Sequence, residues 1–289
     1  MTAPTPPLAG LKASATDGGA DLQVSHVSAP DLLATIVAAA RRGVEVREAN
    51  RPLAMLAREL QRAPRGGAFE TALRDSDKAP RVIAECKRRS PSKGILRTEY
   101  DPAAHARAYE AAGAVAISVL TEPTFFDGAP GHLRAVRAAV DIPVLRKDFI
   151  VTEYQLVEAA GLGADAALLI VSALDQRELA DLLRVSEGLG LAALVEVHDI
   201  EQLRRAIDAG ARVIGVNSRN LRTLAVDLGV LDAVAAQLPP GMTAVAESGI
   251  RTRDDLTRLA FAGYHAFLVG ERLIAQPDPG AALRELRGC

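Results

Sequence analysis

From residue 81 onward, short apolar runs rich in β-branched residues alternate with amphipathic helical segments up to the C-terminus. The runs have the length and composition of buried strands. Several helical segments end in Ala-Gly or Leu-Gly, where glycine takes the left-handed position that closes a helix. The predicted strands are 81–87, 115–121, 142–148, 166–171, 192–197, 212–217, 242–248 and 266–270. The predicted helices are 102–113, 131–140, 152–163, 175–190, 199–210, 229–239, 252–263 and 277–288.

Eight strand-helix units within about 210 residues favour a closed parallel barrel. An open doubly wound sheet usually has fewer such units and a glycine-rich dinucleotide loop, and no GxGxxG follows the first strand. A Rossmann-like sheet with eight strands is the alternative. The pattern therefore predicts an α/β protein, a (β/α)8 TIM barrel.

The residues ahead of the barrel divide into two parts. Residues 1–30 are rich in Ala, Pro, Thr, Ser and Gly without periodicity, which predicts a disordered tail. Residues 31–79 have a helical pattern, with Asp31 as a helix cap, Pro52 at the start of a second helix and a Gly-Gly break before a third. We therefore expect a domain over 31–289 that consists of the barrel and an N-terminal helical extension.

Composition limits the partners and the compartment. The formal net charge of -2 gives no electrostatic reason to bind nucleic acid or an anionic membrane. The apolar run 32–40 is too short to span a bilayer and follows no basic region. Cys86 and Cys289 share no metal-binding or redox spacing, which favours a reducing cytoplasm. No long apolar seam marks the outer helices, so we expect a monomer or a weak homo-oligomer.

Charged residues stand at the carboxyl ends of most predicted strands. Period-two alternation puts Glu85 and Lys87 on one face, opposite Cys86. In a barrel of this kind, reactive groups gather at the carboxyl ends of the strands and in the loops that follow. The polar residues at these ends are Glu85, Lys87, Arg146, Lys147, Asp148, Glu196, His198, Asn217, Arg219, Asn220, Glu247, Ser248 and Glu271.

Two interpretations of this charge are open. A structural ion-pair network, such as Glu85 with Lys147, would explain charge at one strand. Charge converging from five strands favours acid-base chemistry, because acids and lysines packed together perturb one another's pKa values.

Glycines follow the seventh and eighth strands, at the usual phosphate position of such barrels. Gly249 and Gly270 let backbone N–H groups approach an anion, and Ser90 and Lys93 in the first loop either cover the same anion or are solvated. The histidines lie one per segment, and His198 is expected to orient its loop because no ligand-type residue stands at metal spacing beside it. The sequence predicts a metal-free acid-base enzyme acting on a phosphorylated small molecule.

The stretches IAECKRRSPSKG, PVLRKDFIV, IGVNSRNL, AESGI and FLVGE, in this order, strongly resemble the indole-3-glycerol phosphate synthase family. The resemblance covers residues from about 31 to the end. It implies ring closure of 1-(2-carboxyphenylamino)-1-deoxyribulose 5-phosphate with loss of CO2 and water, in tryptophan biosynthesis and without metal or organic cofactor. It also implies that the helices at 31–79 cap the barrel and contribute to closure over the substrate.

The resemblance also implies residue roles. Lys147 is the general acid toward the ketone, which requires that its pKa be lowered or its proton shared with a carboxylate. Lys87 holds an anionic group of the substrate or is the acid in dehydration, and Glu196 is the base and stabilises the cation. Glu85 assists dehydration. The other implied contacts are Asn217 and Glu247 to the sugar hydroxyls, Ser90, Ser248, Gly249, Gly270, Glu271 and Arg219 to the phosphate end, and Phe126 and Phe149 to the aromatic ring.

Two rival functions differ in the residues that they need. Phosphoribosylanthranilate isomerase, another phosphate-binding barrel, is expected to use a Cys and Asp pair, but Cys86 points away from the mouth by parity. A non-catalytic regulatory barrel is expected to have lost a charged residue from the mouth. Glu85, Lys87, Lys147 and Glu196 are all present, which favours catalysis.

Overall fold

Eight parallel strands close into a barrel in the computed structural model, which describes residues 31–75 and 80–288. Pairing of the first strand with both the second and the eighth completes the ring, as in Ile83↔Ala116 and Val82↔Phe267. The predicted closed barrel is confirmed, and the open eight-stranded sheet is wrong. The strands are β1 (Val82–Cys86), β2 (Ala116–Leu120), β3 (Val144–Lys147), β4 (Ala166–Ile170), β5 (Ala192–Val197), β6 (Val213–Asn217), β7 (Thr243–Glu247) and β8 (Ala266–Val269).

Helices follow the strands and cover the outside of the barrel. Each predicted helix is present, and short additional helices follow β2 and β8. From β1 onward, the helices are α4 (Pro102–Ala111), α5 (Pro123–Phe126), α6 (Pro130–Ala139), α7 (Glu153–Leu162), α8 (Gln176–Leu189), α9 (Ile200–Asp208), α10 (Gly229–Ala235), α11 (Arg253–Phe261), α12 (Glu271–Ile274) and α13 (Pro279–Arg287).

Alternation along the strands separates two apolar layers. Ile83, Leu194 and Val245 belong to the cluster inside the barrel, whereas Cys86 and Val195 belong to the cluster between strands and helices. Both layers are almost fully buried, as expected for parallel strands covered on both faces. Side chains that share the inward parity at the carboxyl ends of the strands therefore project into the mouth.

Among the residues that the structure describes, three helices precede the barrel: α1 (Leu32–Asn50), α2 (Leu53–Arg58) and α3 (Gly66–Ala72). The Asp31 carboxylate caps α1 by accepting the N–H groups of Leu33 and Ala34. Phe69 and Leu73, at the end of α3, are completely buried in the same apolar cluster as the barrel interior. The described residues from Asp31 onward form one compact unit, and the predicted disordered tail over 1–30 lies outside the described residues.

The amino-terminal side of the barrel is held together by Asp165. This completely buried carboxylate accepts the N–H of Val144 at 3.0 Å and ion-pairs with Arg62 at 2.6 Å and Arg137 at 2.9 Å. It thus connects β3, α6 and the segment before α3. In the part of the chain described, no helix has the length and hydropathy needed to cross a membrane.

Candidate active site

A cavity of about 940 Å³ opens at the carboxyl ends of the barrel strands. It reaches from Leu32 and Ile36 of α1 to the loops after β6, β7 and β8. Its walls include every site residue that the family resemblance implies, namely Glu85, Lys87, Ser90, Phe126, Lys147, Phe149, Glu196, Asn217, Arg219, Glu247, Ser248, Gly249, Gly270 and Glu271. The structure therefore brings all of the expected residues to one place.

Lys147 is at the centre of the charged groups. It ends β3, and its Nζ lies 3.2 Å from Glu196 Oε2 on β5 and 3.5 Å from Glu247 Oε2 on β7. The lysine side chain is 14% exposed and the two glutamates are 1% exposed, so little water separates these charges. An ammonium group shared by two buried carboxylates can deliver a proton to a ligand atom that enters the cavity.

The pKa values of the two glutamates move in opposite directions. Burial alone would raise the pKa of Glu196, but attraction to Lys147 and His198 outweighs it and lowers the pKa. Burial raises the pKa of Glu247 to about 8, since Lys147 offsets only part of this and the Glu196 charge adds to it. Near neutral pH, Glu196 is therefore ionised and Glu247 keeps its proton. Pairs of acids whose pKa values are separated in this way mark acid and base roles.

Lys147 itself is strongly held in its charged form. Burial would lower its pKa, but Glu196, Glu247 and Glu85 together raise it above the ordinary lysine value. The first of the two expected alternatives, a lowered pKa, is therefore wrong. The short distances to both glutamates match the second, a proton shared with neighbouring carboxylates.

Glu85 and Lys87 form a second ion pair at the end of β1. The Lys87 ammonium donates to Glu85 Oε2, so Glu85 pairs with Lys87, and not with Lys147 as the ion-pair interpretation had it. Glu85 occupies space left by Gly270, where an added Cβ would overlap its carboxylate. Glycine is thus needed after β8 to leave space for the Glu85 carboxylate, in addition to any role of the Gly270 N–H group.

Another glycine, Gly215 on β6, was not expected from the sequence. A Cβ on residue 215 would overlap Glu247 Oε1, so a glycine at this position leaves space for the buried Glu247 carboxyl group. Next along β6, Asn217 is paired in register with Glu247, and its Oδ1 accepts the N–H of Arg219 at 3.0 Å. A glycine inside a predicted strand is the signal that could have identified this position.

Apolar side chains form one wall of the cavity. The Phe126 and Phe149 rings face each other with centroids 6.3 Å apart, and Leu168 and Leu221 line the same cavity. Phe126 is held by Glu122, whose carboxylate accepts the N–H groups at the start of α5, including that of Phe126 at 3.1 Å. The wall suits a flat aromatic group. The sequence did not indicate the two leucines.

The opposite end of the cavity is lined by the loops after β1, β7 and β8. Ser248 and Gly249 after β7 have left-handed φ values of 68° and 74°, and turns of this kind can present backbone N–H groups to an anion. Ser90 lies in the hairpin Arg89–Ser90 and Gly94–Ile95 that follows β1. Arg219 Nη2 lies 3.8 Å from Glu271 Oε2 at the rim, so the Glu271 carboxylate is neutralised in part there.

Cys86 does not belong to this site. It is completely buried in the outer cluster, with its Sγ 3.7 Å from the carbonyl oxygen of Pro102, and burial strongly raises the pKa of its thiol. The parity argument against a cysteine acid is thus confirmed. Among the described residues, no group of three or more His, Cys, Asp or Glu could hold a metal ion.

The end of β3 also contains a residue that faces outward. Arg146 and Asp148 flank Lys147 and form an ion pair at 2.9 Å. Arg146 points away from the cavity and also contacts Glu158 of α7 at 2.8 Å, whereas Asp148 lies at the cavity wall. Asp148 accepts the N–H of Phe149 at 2.9 Å. These two residues fix the backbone that carries Lys147 and Phe149.

The sequence matches a family model described as indole-3-glycerol phosphate synthase over residues 33–286. A curated relative of that name from Parafrankia sp. is 51% identical over 256 residues, which are 88% of this chain and 94% of the relative. The corresponding protein from Streptomyces griseus is 50% identical over 255 residues, again 88% and 94% of the two chains. A third, from Carboxydothermus hydrogenoformans, is 52% identical over 206 residues, 71% of this chain and 78% of the relative.

Solved structures with the same architecture are more distant. A 3-hexulose-6-phosphate synthase superposes with a TM-score of 0.58 at 17% identity, over 72% of this chain and 98% of that one. Thiamine phosphate pyrophosphorylase from Pyrococcus furiosus superposes with a TM-score of 0.54 at 18% identity, over 72% and 94%. At these identities the similarity concerns the fold alone.

Proposed function

The chain belongs to the indole-3-glycerol phosphate synthase family, and we propose that the charged cluster around Lys147 carries the chemistry of that family's reaction. The protein is a carboxy-lyase of tryptophan biosynthesis that converts 1-(2-carboxyphenylamino)-1-deoxyribulose 5-phosphate to indole-3-glycerol phosphate, CO2 and water. The observation that supports the role of the cluster most directly is the Lys147 ammonium between Glu196 and Glu247, at 3.2 and 3.5 Å.

Ring closure comes first and needs a proton at the ketone oxygen. The aromatic carbon that bears the carboxylate attacks the ketone carbon, and the former carbonyl oxygen takes a proton from Lys147 Nζ to become a hydroxyl group. Because the ionised Glu196 is the neighbour that raises the pKa of Lys147 most, the donor is charged before the substrate arrives. Its positive charge also stabilises the negative charge that develops on the oxygen.

Decarboxylation follows from the electronic state of the closed ring. Attack leaves the ring nitrogen as an iminium ion, and the electrons of the breaking C–CO2 bond neutralise it and restore the aromatic ring. The ionised Glu196, with its lowered pKa, lies where it can stabilise this cation. The proton kept by Glu247 lets its carboxyl group donate a hydrogen bond to a substrate oxygen or to Glu196.

Dehydration needs an acid and a base. A proton leaves the carbon next to the ring nitrogen, and the hydroxyl group formed in the first step departs as water after protonation. We assign the base to Glu196 and the assistance of hydroxyl departure to the ion pair of Glu85 and Lys87. Lys87 Nζ can also hold the substrate carboxylate until CO2 leaves.

The remaining cavity residues hold the two ends of the substrate. The Phe126 and Phe149 wall with Leu168 and Leu221 takes the aromatic ring. The N–H groups of Ser248, Gly249, Gly270 and Glu271, with Ser90 and Arg219, take the phosphate, and Asn217 and Glu247 contact the sugar hydroxyls. A substrate held at both ends in this way would have its ketone near Lys147.

Separate measurement of CO2 release and indole fluorescence tests these roles. Lys147→Met should lower both by about 10²-fold or more while substrate still binds, because ring closure precedes decarboxylation. Lys147→Arg keeps the charge but gives up its proton far less readily, so it should not restore the rate. Glu85→Gln should leave CO2 release faster than indole formation. Restoration by arginine, or equal loss of both products in Glu85→Gln, would contradict the assignment.

We also propose that the enzyme works in the cytoplasm without metal or organic cofactor, as a monomer or weak homo-oligomer that does not bind nucleic acid. The supports are the net charge of -2 and the thiol of Cys86, which is buried and free. Sedimentation at micromolar concentration tests the oligomeric state, and activity in the presence of chelator tests the cofactor.

A further inference from the structure

His198 lies just beyond β5 and faces Glu196. Its Nε2 is 3.4 Å from Glu196 Oε1, and the two side chains are 11% and 1% exposed. Both atoms are buried, and neither has a hydrogen-bond partner among the described residues. Two buried polar atoms without hydrogen-bond partners therefore lie beside each other, at the carboxylate that contacts Lys147.

The other ring nitrogen of His198 faces Gln202, whose orientation is fixed. Gln202 Nε2 donates to the Asp199 carboxylate at 2.9 Å, and Gln202 Oε1 accepts the backbone N–H of His198 at 3.1 Å. The oxygen of Gln202 is thus the atom 3.2 Å from His198 Nδ1. Because an amide oxygen only accepts, Nδ1 must carry a proton.

This geometry determines the charge of the ring. With a proton on Nδ1, a neutral imidazole would turn the lone pair of Nε2 toward the Glu196 carboxylate. A second proton on Nε2 replaces this repulsion with attraction between the two groups, whose atoms are 3.4 Å apart. We propose that His198 is a positioning residue, held as an imidazolium by Gln202, that with Lys147 keeps Glu196 ionised and aimed into the cavity.

The groups around the pair agree with this charge. Glu196 is faced by Lys147 from β3, Glu247 from β7 and Asn217 from β6, with Glu85 farther away on β1. The cavity on the outer side of His198 is lined by Asp199, Glu201 and apolar residues of α9 and α10. The charged groups on that side are acids, which favour a cation. The inference rests on the proposed role of Glu196, but the protonation of His198 can be measured without turnover.

Nitrogen-15 NMR of histidine side chains tests the protonation directly. The His198 signals are identified by their loss in His198→Gln or by through-bond correlation. His265 is the matched control, because its Nδ1 accepts the N–H of Ala244 at 3.2 Å and burial lowers its pKa. At about pH 7.5, we expect two protonated nitrogens on His198 and one on His265. An unprotonated nitrogen on His198 at this pH would overturn the proposal.

The pH profile of kcat tests the effect on Glu196. Loss of a cation within 4 Å raises the pKa of a carboxylate, so the acidic limb of kcat in His198→Gln should move up by about one pH unit, with little change in KM. Arg204→Ala is the control for α9, because it removes an exposed charge from the same helix and leaves the contact between Asp199 and Gln202 in place. An unmoved limb in His198→Gln, or an equal movement in Arg204→Ala, would overturn the proposal. If Lys147→Met loses turnover while the acidic limb of kcat in His198→Gln does not move, the proposal for His198 fails and the proposed function is retained.

Discussion

Glu247 lowers the stability of the folded protein in a way that depends on pH. Its carboxyl group is buried, and its pKa is raised from the ordinary 4.5 to about 8. The folded state therefore keeps a proton that the unfolded chain releases above pH 4.5. Since stability falls wherever the folded state binds more protons, it should fall between about pH 4.5 and 8 and stay low above that range.

The size of the effect follows from the same pKa. The difference between 4.5 and about 8, at about 1.4 kcal/mol for each pKa unit, gives a ceiling of about 5 kcal/mol. The neighbouring charges titrate together and share this free energy, so we expect about 1–3 kcal/mol in practice. Glu247→Gln removes the titrating group and should be more stable than the parent at pH 8, with a smaller difference at pH 5.

Thermal unfolding of parent and variant at pH 5 and pH 8 measures this difference. Comparing the two pH values cancels the pH-independent effect of the amide introduced at position 247. A change of 1 kcal/mol in the free energy of unfolding corresponds to a Tm shift of about 2–4 °C in a chain of this size. Glu196→Gln is the matched opposite, since the Glu196 pKa is lowered and its ionised form stabilises the fold at neutral pH. If the Tm difference between Glu247→Gln and the parent does not grow from pH 5 to pH 8, the Glu247 carboxyl group does not have a raised pKa in the folded protein.

Two other substitutions test single contacts. Gly270→Ala places a Cβ against the Glu85 carboxylate and should lower kcat about tenfold or more. The control is Gly188→Ala, which adds a Cβ in open space on α8 and should leave activity unchanged. Equal activity of the two variants would contradict the steric role of Gly270. Asp165→Asn leaves Arg62 and Arg137 without their buried partner and should lower the unfolding free energy measured in urea by about 3 kcal/mol. A loss below about 0.5 kcal/mol, which is typical of exposed sites, would contradict the structural role of Asp165.

The sequence was informative where buried strands impose a strict alternation. The strand limits were predicted within a few residues, and parity placed Glu85 and Lys87 together and Cys86 apart, as found. The carboxyl ends of the strands then converge because the barrel closes. Local pattern and topology were therefore sufficient to collect the expected cavity residues.

The parts that the sequence did not indicate depend on distances between strands. The direction of the Lys147 pKa results from three carboxylates on different strands, which no local pattern contains. Arg146 looked like a member of the mouth but packs outward against Glu158 of α7. The space for Glu247 is made by Gly215 on the neighbouring strand. Each of these is a contact between residues far apart in the chain.

Lys147 is the proton donor for ring closure in the proposed mechanism, and an assay of turnover with and without its ammonium group tests this role. Purified protein is mixed with 1-(2-carboxyphenylamino)-1-deoxyribulose 5-phosphate in the presence of chelator, and indole fluorescence is followed for the parent and for a folded, substrate-binding Lys147→Met variant. The account predicts indole formation by the parent and a rate at least about 10²-fold lower in the variant. Comparable rates in the two proteins would contradict it.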